Sequence, residues 1–137
     1  MTTTTTTIEQ AIAAAGGRDA FRLDLGGTQV SDLSPLAGLA RLEWLDLGGT
    51  QVSDLSPLAG LARLKVLNLG GTRVHDLTPL AGLAALERIY LSHTQVRDLY
   101  PLAGLAAIKM LTLGGSHVPA ARISAFRVAH PTCEVRD

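Results

Sequence analysis

The sequence predicts an α/β solenoid, with a parallel sheet of about six short strands on the concave face and 3₁₀ or short helical turns on the convex face. Three observations support this prediction. The segment 23–42 reads LDLGGTQVSDLSPLAGLARL, and the segment 45–64 repeats the same twenty letters, so the period is 22 residues. Leucine recurs at fixed positions of that period. A single repeat is too short to bury its own leucines, so stacking of repeats must create the core.

The composition fits one globular domain of 137 residues, 47% of them hydrophobic. Twelve basic residues balance twelve acidic ones, which argues against nucleic acid or an anionic membrane as the partner, because both require a basic surplus. The single cysteine, Cys133, excludes an intrachain disulfide. No apolar run approaches the ~20 residues of a membrane helix, and residues 1–7 lack the features of a secretory signal. We therefore expect a cytoplasmic protein, with export without a cleavable signal peptide as the alternative.

Each repeat is expected to begin with a short strand. In the second repeat, Leu45 and Leu47 alternate with outward residues, which is the period-2 pattern of a strand with one buried face. Two glycines then let the chain leave the strand, and the hydroxyl of Thr50 should point inward and bond the backbone of the turn. Asp54 can accept backbone N–H bonds, and Pro57 suits a first helical turn. The convex segment is too short for more than a turn or two of helix.

The N-terminal end predicts a cap. Residues 8–15 form a helix candidate, with Thr7 as its N-cap and Gly16-Gly17 as its stop. This helix could cover the open edge of the first repeat. The polar threonine run at 2–7 is expected to be disordered.

The C-terminal end predicts a second cap. A helix should open at Pro119 and continue to about Ala129, with Ile123 and Phe126 on one face. Cys133 then falls in register as part of a sixth strand, where we expect it to be a buried core residue. The chain is thereby divided into a polar tail and N-terminal capping helix (1–19), repeats (20–118), and a C-terminal capping helix with the final strand (119–137).

The shared frame LxxLxLGGTxVxDLxPLAGLxx resembles the leucine-rich repeat family. It is most similar to the 22-residue class found in bacterial internalins and in a protein-phosphatase-1 regulatory subunit, and the resemblance covers residues 20–118. It implies a leucine-rich repeat solenoid. The position that the family usually fills with Asn holds Thr28, Thr50, Thr72, Thr94 and Ser116. The secretion signal, cap domain and wall anchor of internalins have no counterpart here, so we do not expect their role in host-cell invasion.

No catalytic, metal or cofactor site is expected. An aspartate recurs every 22 residues, at Asp32, Asp54, Asp76 and Asp98. Every turn needs a capping residue, whereas a catalytic carboxylate is rarely needed four times, so this column is expected to be structural. The glycine pairs lack the Lys and Ser/Thr of a P-loop. The four histidines are not spaced as metal ligands and are expected to be exposed turn residues: His75, His93, His117 and His130. These patterns predict a protein that is not an enzyme.

The most informative residues break the repeat on the exposed face of the strands. The outward position before each central residue holds Arg22, Trp44, Val66, Arg88, Met110 and Thr132, and the one after it holds Asp24, Asp46, Asn68, Tyr90, Thr112 and Glu134. Tryptophan, tyrosine, methionine and arginine are enriched at protein interfaces. We therefore predict an apolar stripe of Trp44, Val66, Tyr90 and Met110, bordered by Asp46, Asn68 and Arg88, as the partner-binding site. The alternative is that these side chains only cover the sheet.

A row of alternating charge runs beside the stripe, formed by Glu43, Lys65, Glu87 and Lys109. Opposite charges on adjacent strands should attract and favour the correct register, with electrostatic recognition of a partner as the alternative role. Each exposed pair is expected to contribute only about 0–1 kcal/mol.

These observations together predict a non-enzymatic protein–protein interaction module that binds another protein on its concave face. A monomer is expected, with self-association through an end or the concave face as the alternative. Two other functions stay open. One is a structural or designed consensus scaffold without a dedicated ligand, and the other is a fragment of an exported bacterial effector.

Overall fold

The computed structural model describes residues 4–137, with side chains from residue 8 onward, and shows an open solenoid. Its six parallel strands are hydrogen-bonded in chain order. They are β1 (Arg22–Asp24), β2 (Trp44–Asp46), β3 (Val66–Asn68), β4 (Arg88–Tyr90), β5 (Met110–Thr112) and β6 (Glu134–Arg136). Four 3₁₀ turns lie between β1 and β5, on the opposite side of the core: Ser34–Leu36, Ser56–Leu58, Thr78–Leu80 and Tyr100–Leu102. This architecture confirms the predicted α/β solenoid.

The core is a stack of equivalent aliphatic residues. The central residues of the first five strands face one another in register: Leu23, Leu45, Leu67, Ile89 and Leu111. The last leucine of each convex turn is fully buried behind them: Leu36, Leu58, Leu80 and Leu102. Because every repeat contributes the same side chains, each one completes the hydrophobic environment of its neighbours.

Two hydrogen bonds hold each turn, as the sequence predicts. The buried Thr50 hydroxyl donates to the carbonyl of Leu47 at 2.7 Å, and Thr28, Thr72 and Thr94 make the equivalent bond. The Asp54 carboxylate accepts the backbone N–H of Ser56 at 2.9 Å, and Asp32, Asp76 and Asp98 do the same. These two columns are therefore part of the turn structure.

The N-terminal helix, α1 (Thr4–Ala14), begins earlier than expected. The prediction of Thr7 as an N-cap is wrong because Thr7 lies inside the helix, and the predicted disorder is wrong for residues 4–7. The rest of that threonine run lies outside the described residues. Ile8 is fully buried, and α1 packs against β1 and the first convex turn. These tertiary contacts outweigh the modest helix propensity of threonine.

At the other end, α2 (Ala120–Ala129) follows Pro119 and buries Ile123 and Phe126, as predicted. Cys133 is buried as well, with 8% of its surface exposed.

The register predicted for the last strand is wrong. Leu111 pairs with Val135 rather than Cys133, so the final step is 24 residues instead of 22. The reason is that the ten-residue α2 replaces a three-residue convex turn and needs a longer connection. The outward residues of β6 are therefore Glu134 and Arg136, and not Thr132 and Glu134.

The charged row beside the strands forms two ion pairs. Lys65 Nζ lies 3.7 Å from Glu43 Oε1, and Lys109 Nζ lies 3.4 Å from Glu87 Oε1. Each pair joins adjacent repeats, as predicted. The division of the chain into two caps and a repeat region stays a prediction.

Candidate functional site

The strand register arranges the predicted partner-binding residues in two parallel rows on the concave face. The Trp44 row contains Arg22, Trp44, Val66, Arg88 and Met110. The Tyr90 row contains Asp24, Asp46, Asn68, Tyr90 and Thr112. The apolar residues are thus not one uninterrupted stripe, because Arg88 separates Val66 from Met110 and Tyr90 lies in the neighbouring row. All seven predicted residues nevertheless lie on four adjacent strands, β2 to β5.

Most of these side chains are half-buried, and Arg88 is exposed. The Arg22 guanidinium lies over the Trp44 ring, with its Cζ 4.4 Å from the ring centroid. This is a cation–π contact, and it covers one face of the indole. Arg22 was not among the predicted site residues, although it occupies the Trp44 position one repeat earlier. Its position directly beside Trp44 in the strand register could have identified Arg22 as a contact of Trp44.

The polar part of the Tyr90 row is built into the turns. Side-chain oxygens of Asp24, Asp46 and Asn68 each accept the backbone N–H two residues later at 2.9 Å. Asn68 Nδ2 also donates to Asp46 Oδ1 at 3.0 Å, which links the two repeats. Asp46 and Asn68 therefore have a structural role that the sequence reading missed, whatever their part in binding.

The repeat that carries Tyr90 differs from the others where its strand ends. Ser92 and His93 replace the glycine pair, and His93 has a φ of 58°, the single positive φ of a non-glycine residue in the described chain. The glycines at equivalent positions have φ values of 70–75°. The backbone N–H of His93 donates to the carbonyl of Gly114 at 2.7 Å. His93 therefore adopts, at the edge of the concave face, the left-handed backbone conformation that glycine adopts at this position in the other repeats.

The histidines do not form a metal centre. Across the described residues, no group of three or more His, Cys, Asp or Glu side chains is placed to hold a metal ion. His75, His93 and His117 are exposed, as predicted. The prediction is wrong for His130, whose ring stacks on Phe126 at a centroid distance of 4.2 Å and whose Nε2 lies 3.0 Å from the carbonyl oxygen of Ala103. His130 therefore ties α2 to the last convex turn.

None of the helices in the described part of the chain has the length and apolar character needed to cross a bilayer.

Comparison with known proteins shows the same repeat. Residues 40–82 match a family model described as leucine-rich repeats, two copies. No match was found among curated proteins.

Solved structures of internalins share the fold. The chain is similar to an internalin from Listeria monocytogenes, with 30% identity over 88% of this chain and a TM-score of 0.80. It is also similar to internalin C2 from the same organism, with 35% identity over 87% of this chain and a TM-score of 0.77. The chain spans only 35% and 53% of those two proteins. One chain in the crystal structure of the Drosophila melanogaster SNF/U2A′ complex has the same fold, with 23% identity over 82% of this chain and 69% of the other, and a TM-score of 0.67.

Proposed function

Given that this chain is built of leucine-rich repeats, we propose that it is a non-enzymatic module that binds another protein on the concave face of its sheet. One observation carries the proposal. Core and turn positions recur almost unchanged from repeat to repeat, whereas the Trp44 row changes at every step, through Arg22, Trp44, Val66, Arg88 and Met110. Packing alone would be served by the same residue in each repeat, so a row of unlike side chains favours recognition of an irregular partner.

The chemistry of the surface suits a protein partner. Trp44 and Tyr90 are half-buried, so they present rigid aromatic area that is already partly ordered before binding. Arg88 provides an exposed cation between Val66 and Met110. The ion pairs Lys65–Glu43 and Lys109–Glu87 add a polar border. An apolar centre with a polar rim is the usual composition of a protein interface.

The charge balance of the chain supports a partner other than nucleic acid or an anionic membrane, because it provides no basic surplus. The free, buried Cys133 is compatible with a reducing compartment, and we place the module in the cytoplasm as a monomer. Export without a cleavable signal peptide is the alternative location.

A scaffold without a dedicated ligand is the second candidate function. The twenty identical letters of 23–42 and 45–64 favour it, because such near-identity is typical of recent duplication or consensus design. The Ser92-His93 departure favours the binding module instead, since a scaffold gains nothing from a strained His93.

Photo-crosslinking tests the proposed function with a matched pair of sites. The chain has two tyrosines, Tyr90 on the concave face and Tyr100 on a convex turn, where 80% of its surface is exposed. A photoreactive phenylalanine analogue is introduced at one or the other position, and the protein is irradiated in lysate of the source cell. We expect a discrete protein adduct from position 90 and none from position 100. An adduct from position 100 alone would contradict the concave site, and no adduct from either would favour the scaffold.

A further inference from the structure

A second surface departs from the repeat, on the edge of the solenoid where each repeat leaves the sheet and crosses to the convex side. A pocket of about 440 Å³ lies there, lined by His75, Gln95, Arg97, Asp98 and His117. None of these residues belongs to the predicted partner-binding set on the concave face.

Three residues of the pocket lining, His75, Arg97 and His117, are substitutions at two columns of the repeat. The position after the conserved threonine or serine holds Gln29 and Gln51 in the first two repeats, and then Arg73, Gln95 and His117. The position two residues later holds Ser31 and Ser53, and then His75 and Arg97. Neutral polar residues thus give way to arginine and histidine only in the later repeats. The first two repeats show that the turn folds with glutamine and serine, so folding does not require the change.

Backbone hydrogen bonds fix these loops against one another. The N–H of Gln95 donates to the carbonyl of Val74 at 3.1 Å, and that of His117 donates to Val96 at 3.0 Å. Three consecutive loops are therefore joined side by side, which brings His75, Arg97 and His117 to one pocket although they are far apart in sequence.

The basic residues of the lining make few contacts with the rest of the chain. Among the described residues, the Arg97 guanidinium and the imidazoles of His75 and His117 form no hydrogen bond or ion pair, although His75 lies close enough to Asp76 to help lower the pKa of that carboxyl. Asp98 is the acidic residue of the lining, and its carboxylate already accepts the N–H of Tyr100 at 2.9 Å and lies 3.4 Å from Arg122 Nη1. Asp98 thus contacts Arg122, and Arg97 forms no ion pair with any carboxylate among the described residues.

We propose that this pocket binds a phosphate group, with Arg97 as the principal charge contact. Guanidinium presents a planar fork of donors that matches phosphate oxygens, and charge-assisted bonds of this kind are stronger than neutral ones. The two imidazoles and the amide of Gln95 supply further donors around it. A metal ion does not fit the same lining, because the described histidine and aspartate side chains are not placed as a ligand group. Free inorganic phosphate and a phosphorylated side chain share this chemistry.

Titration of the full chain with inorganic phosphate, followed by ¹H–¹⁵N NMR and calorimetry, tests the proposal. Three variants are compared: Arg97→Ser and His75→Ser, which install the serine of the first two repeats, and the control Arg63→Ala. Arg63 is exposed on the other edge of the solenoid, at a position that holds Ala85 and Ala107 in later repeats, so the control removes the same charge without altering the frame.

We expect saturable shifts confined to the loops of His75, Gln95, Arg97 and His117. Arg97→Ser should weaken phosphate binding by about tenfold or more, whereas Arg63→Ala should leave it within about twofold. Two results would overturn the proposal. One is chemical-shift changes that do not saturate or that spread over the surface, and the other is an equal loss of phosphate affinity in Arg97→Ser and Arg63→Ala. A phosphoserine peptide that binds more tightly than both inorganic phosphate and its unphosphorylated form would identify a phosphorylated side chain as the source. Equal affinity for the peptide and the free ion would identify free phosphate.

Discussion

The imidazole of His93 occupies the space in which a Cβ atom of Gly115 would lie, one repeat further along the solenoid. Such a Cβ would come within 2.8 Å of Cε1 and still closer to Nδ1. Gly115 itself has a φ of 75°. This position therefore excludes a side chain for two reasons, its left-handed backbone and the ring of its neighbour.

The two reasons can be separated by comparison with Gly71, which has a φ of 70° and meets only ordinary backbone contacts of 3.6–3.7 Å. Gly71→Ala should lower the free energy of unfolding by about 1–2 kcal/mol, the cost of a left-handed alanine. Gly115→Ala should cost about 1 kcal/mol more, because the His93 ring must leave its rotamer. Urea unfolding of both variants measures the difference. In a His93→Gly background, Gly115→Ala and Gly71→Ala should lower the free energy of unfolding by the same amount. A larger loss for Gly115→Ala in that background would show that the His93 ring is not the cause of the difference.

The Asn68 side chain is predicted to stabilise two repeats at once. Asn68→Ala removes the acceptor for the N–H of Gly70 and the donor to Asp46, so the free energy of unfolding should fall by about 1–2 kcal/mol. Asn68→Asp restores the acceptor but places a second carboxylate opposite Asp46. This variant should be less stable than wild type at low salt and should recover as salt screens the repulsion. A stability of Asn68→Asp that is independent of salt would contradict the assigned contact.

Acid should destabilise the repeats through their turn aspartates. The Ser34 hydroxyl, at 2.6 Å, and the Ser34 N–H lower the pKa of Asp32, and the equivalent groups of Ser56 and Thr78 lower the pKa values of Asp54 and Asp76. Because each folded-state pKa lies below its unfolded value, the contribution is fully present above the unfolded pKa and is lost as the pH falls through the folded one. The melting temperature should therefore drop below about pH 4. In an Asp32→Asn/Asp54→Asn/Asp76→Asn variant, the melting temperature should fall less steeply with decreasing pH than it does in the wild type. An unchanged dependence of the melting temperature on pH would rule out these carboxylates as its origin.

The thiol of Cys133 should react slowly in the folded protein. Burial, and next the Glu134 carboxylate, raise the pKa of this thiol, which lowers the thiolate fraction at neutral pH. Its exposed fraction of 8% also limits access. Iodoacetamide labelling followed by mass spectrometry should be much slower in buffer than in denaturant. Equal rates in the two conditions would show that the C-terminal cap is open.

Much of this fold could be predicted because each physical requirement recurs. A turn that needs the Thr50 hydroxyl and the Asp54 carboxylate needs them in every repeat, so their periodicity identified their roles. The C-terminal cap lacks that redundancy. The register of Cys133 was predicted by extending the 22-residue period to the last strand. The length of α2 sets that register instead, and Val135 rather than Cys133 pairs with Leu111.

The candidate site was predictable only in part. The register of the outward residues followed from the period, so the placement of Trp44 and Tyr90 on neighbouring strands could be anticipated. Contacts between particular side chains could not be predicted from the sequence, because they depend on the rotamers of those side chains. The stacking of Arg22 on Trp44 and the Asn68–Asp46 bond are of this kind. The helical start at Thr4 depends in the same way on the tertiary burial of Ile8.

The most direct test of the concave site is the affinity of the chain for the protein crosslinked at position 90, measured for Trp44→Ala, Tyr90→Ala and Tyr100→Ser. Tyr100→Ser is the matched control, since it removes an exposed aromatic from the convex side and installs the serine of earlier repeats. With circular dichroism and melting unchanged, we predict that each concave variant weakens binding by about tenfold or more, as loss of an interface hot spot does, and that the control stays within about twofold. Full affinity in both concave variants, or a loss confined to Tyr100→Ser, would contradict recognition through the concave face.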